Sequence, residues 1–322
     1  MTAQRLSNPP TERRRKRALR VLKTVPILPS LVTLGNVFFG FLAIAKAADA
    51  IVLSGERSMG ISDPEVIRLL QVSALLIFVS MVFDALDGAV ARMTRQTSQF
   101  GAQLDSMADM VTFGVAPAFL AKVLIDFHTQ GEGAAINLQP KIIYVAVVVY
   151  VLCTTMRLAR FNVEVPSDSA EDHQEFSGLP SPAAAAAIAS MLTFFCFLMT
   201  VQPDDSVVAW MKGHDVELWI VRALPISLVL LGLLMVSRLP YPHVVVSLLR
   251  SGHSFPFLAS LVVLVALLAL EWEIGLLVLV ACYILSGVVI GAYRLITSGR
   301  IDRRDPEAPE DPLDLPRTPS LN

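Results

Sequence analysis

The sequence predicts an all-α, polytopic membrane protein, and three features of the chain lead to this fold class. Hydrophobic residues make up 54% of the 322 positions and charged residues only 17%, with a mean hydropathy of +0.60. A chain of this composition is too apolar for an ordinary soluble protein. The other two features are a series of long apolar segments and a segregation of charge among the segments that connect them.

Eight segments are long and apolar enough to cross about 30 Å of hydrocarbon as helices. They lie at residues 27–48, 68–91, 103–125, 141–162, 180–202, 218–237, 254–270 and 273–295. The last two are separated only by the polar break Glu271-Trp272-Glu273, so a count of seven helices stays open.

Basic residues alternate between the connecting segments, as the positive-inside rule requires. They precede the first helix and recur in alternate later connections as Arg13, Arg14, Arg15, Lys16, Arg17, Arg20, Lys23, Arg92, Arg95, Arg157, Arg160, Arg238 and Arg250. The remaining connections are mainly acidic. We therefore expect the basic connections and both chain ends on the cytoplasmic side of the inner membrane.

These patterns divide the chain into four predicted regions. They are a basic cytoplasmic segment at 1–26, a transmembrane core at 27–237, a C-terminal transmembrane hairpin at 238–297 and a tail at 298–322. The tail is rich in proline and charge, so we expect it to be disordered.

Charged residues lie in or beside the second and third apolar segments, where composition alone does not explain them. They are Asp84, Asp87, Arg92, Asp105 and Asp109. Each charge costs about 2.5–3.5 kcal/mol on insertion scales, so these residues need partners or a function. Residues three and four apart share a helix face, and the connection between the two segments is short. The sequence thus predicts four carboxylates in one pocket at the cytoplasmic edge of the bilayer.

Clustered carboxylates repel one another unless a cation lies among them. Oxygen ligands without His or Cys favour Mg²⁺ or Mn²⁺, and two ions suit an in-line displacement at phosphorus. Gly88, Ala91 and Gly101 would let a phosphate or nucleotide approach the backbone, and Arg92 would bind phosphate. The alternatives are a buried ion-pair network and a cation-coupled transporter, whose charges are expected nearer the midplane and in both halves of the chain.

The spacing D84-x2-D87-G88-x2-A91-R92-x8-G101-x3-D105-x3-D109 resembles the signature of the CDP-alcohol phosphatidyltransferases. The resemblance implies a catalytic core of six helices, here followed by two C-terminal helices. It implies that Asp84, Asp87 and Asp105 are metal ligands, and that Asp109 is a further ligand and the general base. It also implies contacts of Gly88, Arg92 and Ser98 with the CDP-linked lipid.

Four further stretches resemble the phosphatidylserine synthase branch of that family. They are PSLVTLGNVFFGFLAI at 29–44, RLARFNVE at 157–164, FSGLPSPAAAA at 176–186 and SRLPYPH at 237–243. The resemblance directs Ser30, Thr33 and Asn36 toward the CDP group, although they could instead satisfy neighbouring helices. Pro180 and Pro182 fit the first turn of a helix.

A serine acceptor carries a carboxylate and an ammonium group, so its pocket needs a cationic fork and polar acceptors. Candidates for this pocket are Arg157, Arg160, Asn162, Arg238 and Tyr241. The arginines could instead serve as topology or headgroup anchors.

The expected reaction joins CDP-diacylglycerol and L-serine to give phosphatidylserine and CMP. The same chemistry with glycerol 3-phosphate, inositol phosphate or choline is the alternative. Membrane lipids are the other expected partners and nucleic acid is not expected, while the sequence leaves open whether the chain forms a homodimer.

Overall fold

The computed structural model describes residues 27–57, 61, 63–94, 99–129, 139–164, 178–201, 206–237, 239 and 271–301. The helices in this part of the chain are α1 Ile27–Arg57, α2 Pro64–Thr94, α3 Gln99–Asp109, α4 Ala116–Thr129, α5 Pro140–Glu164, α6 Ser181–Thr200, α7 Ser206–Gly213, α8 Val216–Val236 and α9 Trp272–Ile301. A π-helical turn, Met110–Val115, joins α3 to α4. We call it the π turn.

Seven helical spans in the described residues are long and apolar enough to cross a membrane, and α3, the π turn and α4 together form one of them. The prediction of an all-α polytopic membrane protein is therefore confirmed. The seven spans coincide with seven of the eight predicted segments, and the remaining segment, 254–270, lies outside the described residues. Residues 1–26 and 302–322 lie outside them as well.

Several elements differ in extent from the prediction. The first helix was predicted to end at residue 48 and continues to Arg57, while α9 continues to Ile301, past the predicted start of the tail at 298. The short helix α7 was not predicted. A run of eight residues cannot cross a bilayer, so a search for long apolar segments does not find it.

The most deeply buried span is α6, which packs against α2, α4, α8 and α9. Its first half is rich in alanine, and Ala184, Ala185 and Ala189 are fully buried. Small residues let membrane helices approach closely, which is how helices associate when lipid removes the hydrophobic driving force between them. Pro182 lies in the first turn, as predicted, where its missing N–H costs no helical hydrogen bond.

The N-terminal helices α1 and α2 pack along each other, and this packing holds the part of α2 that carries Asp84 and Asp87 against α1. Gly35 of α1 permits this close approach, because a Cβ there would lie 2.6 Å from Cδ1 of Phe83. Phe83 directly precedes Asp84, so the packing of α1 on α2 fixes the height of that carboxylate along the bundle.

The chain enters α6 through a short strap that is tied to the end of α8. Gly178 N–H donates to the carbonyl of Leu239 (2.9 Å), and Leu179 N–H donates to the carbonyl of Leu234 (3.0 Å). Gly178 has φ of 95°, and a Cβ there would lie 2.5 Å from the carbonyl oxygen of Met235. Only glycine fits this position, because the left-handed conformation and the nearby backbone both exclude a side chain.

Gly178→Ala should therefore destabilise the protein by about 1–3 kcal/mol, the usual cost of a strained backbone position. The measurement is the apparent unfolding temperature in detergent. Gly55→Ala is the matched control, because a Cβ at that helical position meets no atom within 4 Å. Equal unfolding temperatures for the two variants would contradict this account of the strap.

Candidate functional site

Three carboxylates converge at one end of the bundle. Asp84 of α2 and Asp105 and Asp109 of α3 each offer one oxygen, and these three oxygens lie within 4.8 Å of one another. All three side chains are partly buried. Hard divalent cations prefer such all-oxygen sites, and close anions of this kind are stable together only when a cation or protons offset their repulsion. The described residues thus form a group that could bind a metal ion.

The carboxylates meet because of their helical spacing and because both helices pack on α1. Asp105 and Asp109 are four residues apart on α3, so they occupy one face one turn apart. Asp84 lies about three turns before the end of α2. This part of the arrangement follows the sequence prediction.

The fourth predicted ligand, Asp87, is held differently. Its carboxylate is buried and accepts a hydrogen bond from the hydroxyl of Thr33 on α1. It does not belong to the group of three oxygens, but it lies close enough to Asp84 and Asp105 to interact electrostatically with both. The structure therefore places Asp87 beside the cluster, and a metal-binding role for it stays a prediction.

The first helix contributes a second contact to the cluster. Asn36 Nδ2 donates to Oδ1 of Asp109 at 3.3 Å, and the backbone carbonyl of Asn36 accepts from the Thr112 hydroxyl at 3.3 Å. Two atoms on α1, Asn36 Oδ1 and Ser30 Oγ, are buried without a hydrogen-bond partner among the described residues. Buried polar atoms without partners are uncommon. Thr33 and Asn36 were both predicted to face the CDP group. In the structure both donate to carboxylates, Thr33 to Asp87 and Asn36 to Asp109.

Arg157 is a partly buried cation next to this cluster. It interacts electrostatically with Asp109, and its Nη1 donates to the hydroxyl of Ser181 at 3.0 Å. Its Nε is buried and has no hydrogen-bond partner within the described part of the chain. Tyr283 of α9 also interacts electrostatically with Arg157. Sequence reasoning identified Arg157 but missed Ser181 and Tyr283, because nothing in an apolar helix distinguishes one Ser or Tyr from another.

A hydrogen bond between α3 and α5 lies near the same end. Ser106, the residue after Asp105, donates to Oδ1 of Asn162 at 3.0 Å. Arg160, one turn after Arg157, is partly buried. Asn162 thus lies near the cluster in the fold, and Arg157 of the same helix interacts electrostatically with Asp109.

The other predicted site residues divide into two groups. Gly88 of α2 and Gly101 of α3 are partly buried on the helices that carry the cluster. The side chains of Ala91 and Arg92, and all of Ser98, Arg238 and Tyr241, lie outside the described residues.

The fold and this site define a multi-pass helical membrane protein with a cluster of three carboxylates that could bind a cation at one end of its bundle. A model of the CDP-alcohol phosphatidyltransferase family matches residues 26–220, and the chain belongs to that family.

Three relatives of the chain carry the name CDP-diacylglycerol–serine O-phosphatidyltransferase. The Helicobacter pylori protein is 30% identical over 217 residues, which are 67% of this chain and 72% of that protein. The Methanocaldococcus jannaschii protein is 34% identical over 167 residues, 52% of this chain and 62% of the relative. The Saccharomyces cerevisiae protein is 36% identical over 164 residues, 50% of this chain and 51% of the relative.

The cluster gives a direct prediction for metal binding. Loss of a residue that only supports a metal ligand typically weakens metal binding roughly 10- to 100-fold. Asp84 and Asp105 would bind the ion directly, so Asp84→Asn and Asp105→Asn should each weaken Mn²⁺ binding by at least that factor. Binding is measured from the electron paramagnetic resonance signal of free Mn²⁺ in a titration of the purified protein.

Asp126→Asn is the control for this titration. It makes the same chemical change at a carboxylate that pairs with Lys122 on α4. Unchanged titration curves for Asp84→Asn and Asp105→Asn would show that the cluster does not bind the ion.

Proposed function

We propose that this chain transfers the phosphatidyl group from CDP-diacylglycerol to L-serine and releases phosphatidylserine and CMP. The observation that carries the proposal is the cluster of three carboxylates, Asp84, Asp105 and Asp109, beside the partly buried cation Arg157, in a member of the CDP-alcohol phosphatidyltransferase family. The shared name of relatives from bacteria, an archaeon and yeast supports serine as the acceptor.

The donor atoms fit Mg²⁺ or Mn²⁺, because the clustered groups offer only carboxylate oxygen. In the proposal Asp84, Asp87, Asp105 and Asp109 hold two such ions. When bound, the ions would offset the negative charge of the pyrophosphate and of the departing CMP.

Asp109 is the proposed general base. Its carboxylate is partly buried and accepts from Asn36, which leaves it oriented by α1 on one side. It would take the proton of the serine hydroxyl as that oxygen bonds to the lipid-side phosphorus. The bond from this phosphorus to the bridging oxygen breaks, CMP leaves with that oxygen, and Asp109 returns the proton to solvent.

The CDP group would bind along α1 and the facing ends of α2 and α3. Ser30 and Asn36 offer buried oxygens that have no partner among the described residues, and Thr33 reaches Asp87. Gly88, Ala91 and Gly101 would leave room for the nucleotide. Arg92 and Ser98 are the proposed phosphate and lipid contacts.

The acceptor pocket is proposed around Arg157. The buried Nε of this residue has no described partner, and a guanidinium with a free N–H suits the serine carboxylate. Arg160, Asn162, Arg238 and Tyr241 complete the proposed pocket. Ser181 holds Arg157 from α6, and Tyr283 borders it from α9.

The protein is an integral, multi-pass membrane protein. We propose the inner membrane and a cytoplasmic active site, since the basic segments lie at the same side of the predicted topology as the cluster. Residues 27–237 would form the catalytic core, 238–297 a C-terminal hairpin, and 1–26 and 298–322 the cytoplasmic ends.

Purified protein with CDP-diacylglycerol and a panel of acceptors should release CMP fastest with L-serine. The panel contains glycerol 3-phosphate, inositol phosphate and choline, and CMP is measured by chromatography. Release should stop in EDTA and return with Mg²⁺ or Mn²⁺. Preference for glycerol 3-phosphate would refute serine as the acceptor, and full activity after exhaustive chelation would refute the metal requirement.

Arg157→Lys should raise the KM for serine about 10- to 100-fold, because a hydrogen bond to a charged group contributes about 1.5–3 kcal/mol. Lysine keeps the charge that sets topology but lacks the planar fork. The KM for CDP-diacylglycerol should stay nearly constant.

Arg222→Lys is the matched control for this variant. Arg222 lies over the ring of Trp219 on α8, 5.3 Å from its centroid, so its replacement should not alter serine kinetics. Wild-type serine kinetics for Arg157→Lys would remove Arg157 from the pocket.

A further inference from the structure

The π turn begins at the residue that follows Asp109. The N–H of Ala116 donates to the carbonyl of Val111, five residues back, where an α-helix would use the residue four back. A π turn fits one extra residue into the helix, and each residue of an α-helix rotates the chain by about 100°. The α3 face that carries Asp105 and Asp109 is therefore set at a different angle from α4 than a regular helix would give.

From the α5 side, two contacts hold this turn. Tyr150 is fully buried, and its hydroxyl donates to the backbone carbonyl of Phe113 at 2.9 Å. Gly114 lies against Thr154, since a Cβ at Gly114 would be 3.3 Å from Cγ2 of Thr154. In a π turn the backbone N–H groups lie away from the carbonyls that they bond in an α-helix. The Tyr150 hydroxyl can therefore stabilise the wide turn by donating to the carbonyl of Phe113.

From the α1 side, two more contacts hold it. The hydroxyl of Thr112 donates to the carbonyl of Asn36 at 3.3 Å, and the side chain of Asn36 donates to Asp109. Gly40 lies against the same threonine, because a Cβ at Gly40 would be 3.0 Å from its Cα. One residue of α1 thus contacts both the π turn and the carboxylate that precedes it.

We infer that Tyr150 is a positioning residue for Asp109, which it controls through the π turn. Tyr150 holds the carbonyl of Phe113, the turn keeps its extra residue, and the Asp109 carboxylate stays beside Asp84 and Asp105. Without the hydroxyl, the turn loses the donor that favours it over regular α-helix, and the face of α3 rotates relative to α4. The inference rests on the proposed function for its effect on turnover and on the carboxylate cluster alone for its effect on metal binding.

Tyr150→Phe tests the inference, because it removes one hydroxyl and keeps the ring. The kcat should fall about 10- to 100-fold, as expected when a reacting group is displaced by roughly 1 Å. The KM for CDP-diacylglycerol should change little, and the Mn²⁺ dissociation constant, measured without substrates, should rise severalfold. Asp109→Asn gives the reference value for complete loss of the carboxylate.

Two controls separate positioning from loss of stability. Thr193→Val removes another fully buried hydroxyl, one that donates to the carbonyl of Ala189 in its own helix. Tyr144→Phe makes the same chemical change at an exposed ring on α5. Both controls should keep wild-type kcat per folded enzyme and wild-type Mn²⁺ binding.

The inference is overturned if Tyr150→Phe lowers the unfolding temperature but keeps both kcat and the Mn²⁺ dissociation constant, or if Thr193→Val causes equal losses. Should Tyr150→Phe fail to fold, Thr112→Val removes the α1-side hydrogen bond of the turn and must weaken Mn²⁺ binding for the inference to stand. A wild-type protein that releases no CMP with serine refutes the proposed function, whereas weaker Mn²⁺ binding by Tyr150→Phe would still support the positioning role.

Discussion

Carboxylates next to hydrocarbon must be stabilised by partners, and the structure around the cluster is organised by that requirement. Each charge costs about 2.5–3.5 kcal/mol on insertion scales, so a carboxylate without a partner would destabilise the helix bundle. The described contacts supply partial compensation from two helices: the Thr33 hydroxyl and the Asn36 amide come from α1, and the Arg157 guanidinium from α5. The three oxygens that remain close together favour a cation as the last partner.

Close helix packing makes these contacts reachable. Gly35 brings α1 against Phe83 of α2, and Gly40 brings it against the π turn. A side chain at either glycine would push α1 outward and lengthen the bonds from Thr33 and Asn36 to their aspartates. Short polar side chains reach a neighbouring helix only when its backbone is near, so the small residues and the polar partners on α1 function as a set.

The sequence predicted what depends on local spacing. The lengths of the apolar segments predicted all seven spans of the described residues. The four-residue interval between Asp105 and Asp109 predicted that they share one helix face. The π turn was not predictable, because its apolar sequence, MVTFGV, suits an α-helix equally well. Its stabilising partner, Tyr150, is 37 residues from Phe113. The contacts of Asp87 with Thr33 and of Arg157 with Ser181 likewise join distant positions, and only the tertiary packing reveals them.

The family match also separates two parts of the proposed site. It covers residues 26–220, which include every carboxylate of the cluster, the π turn and Arg157. It ends before α9, whose Tyr283 interacts with Arg157. The phosphoryl chemistry in our proposal thus depends only on the matched region, while the surroundings of the acceptor pocket include a helix beyond it. Because α9 also packs against α6, which carries Ser181, a shift of α9 would reach Arg157 both through Tyr283 and through Ser181.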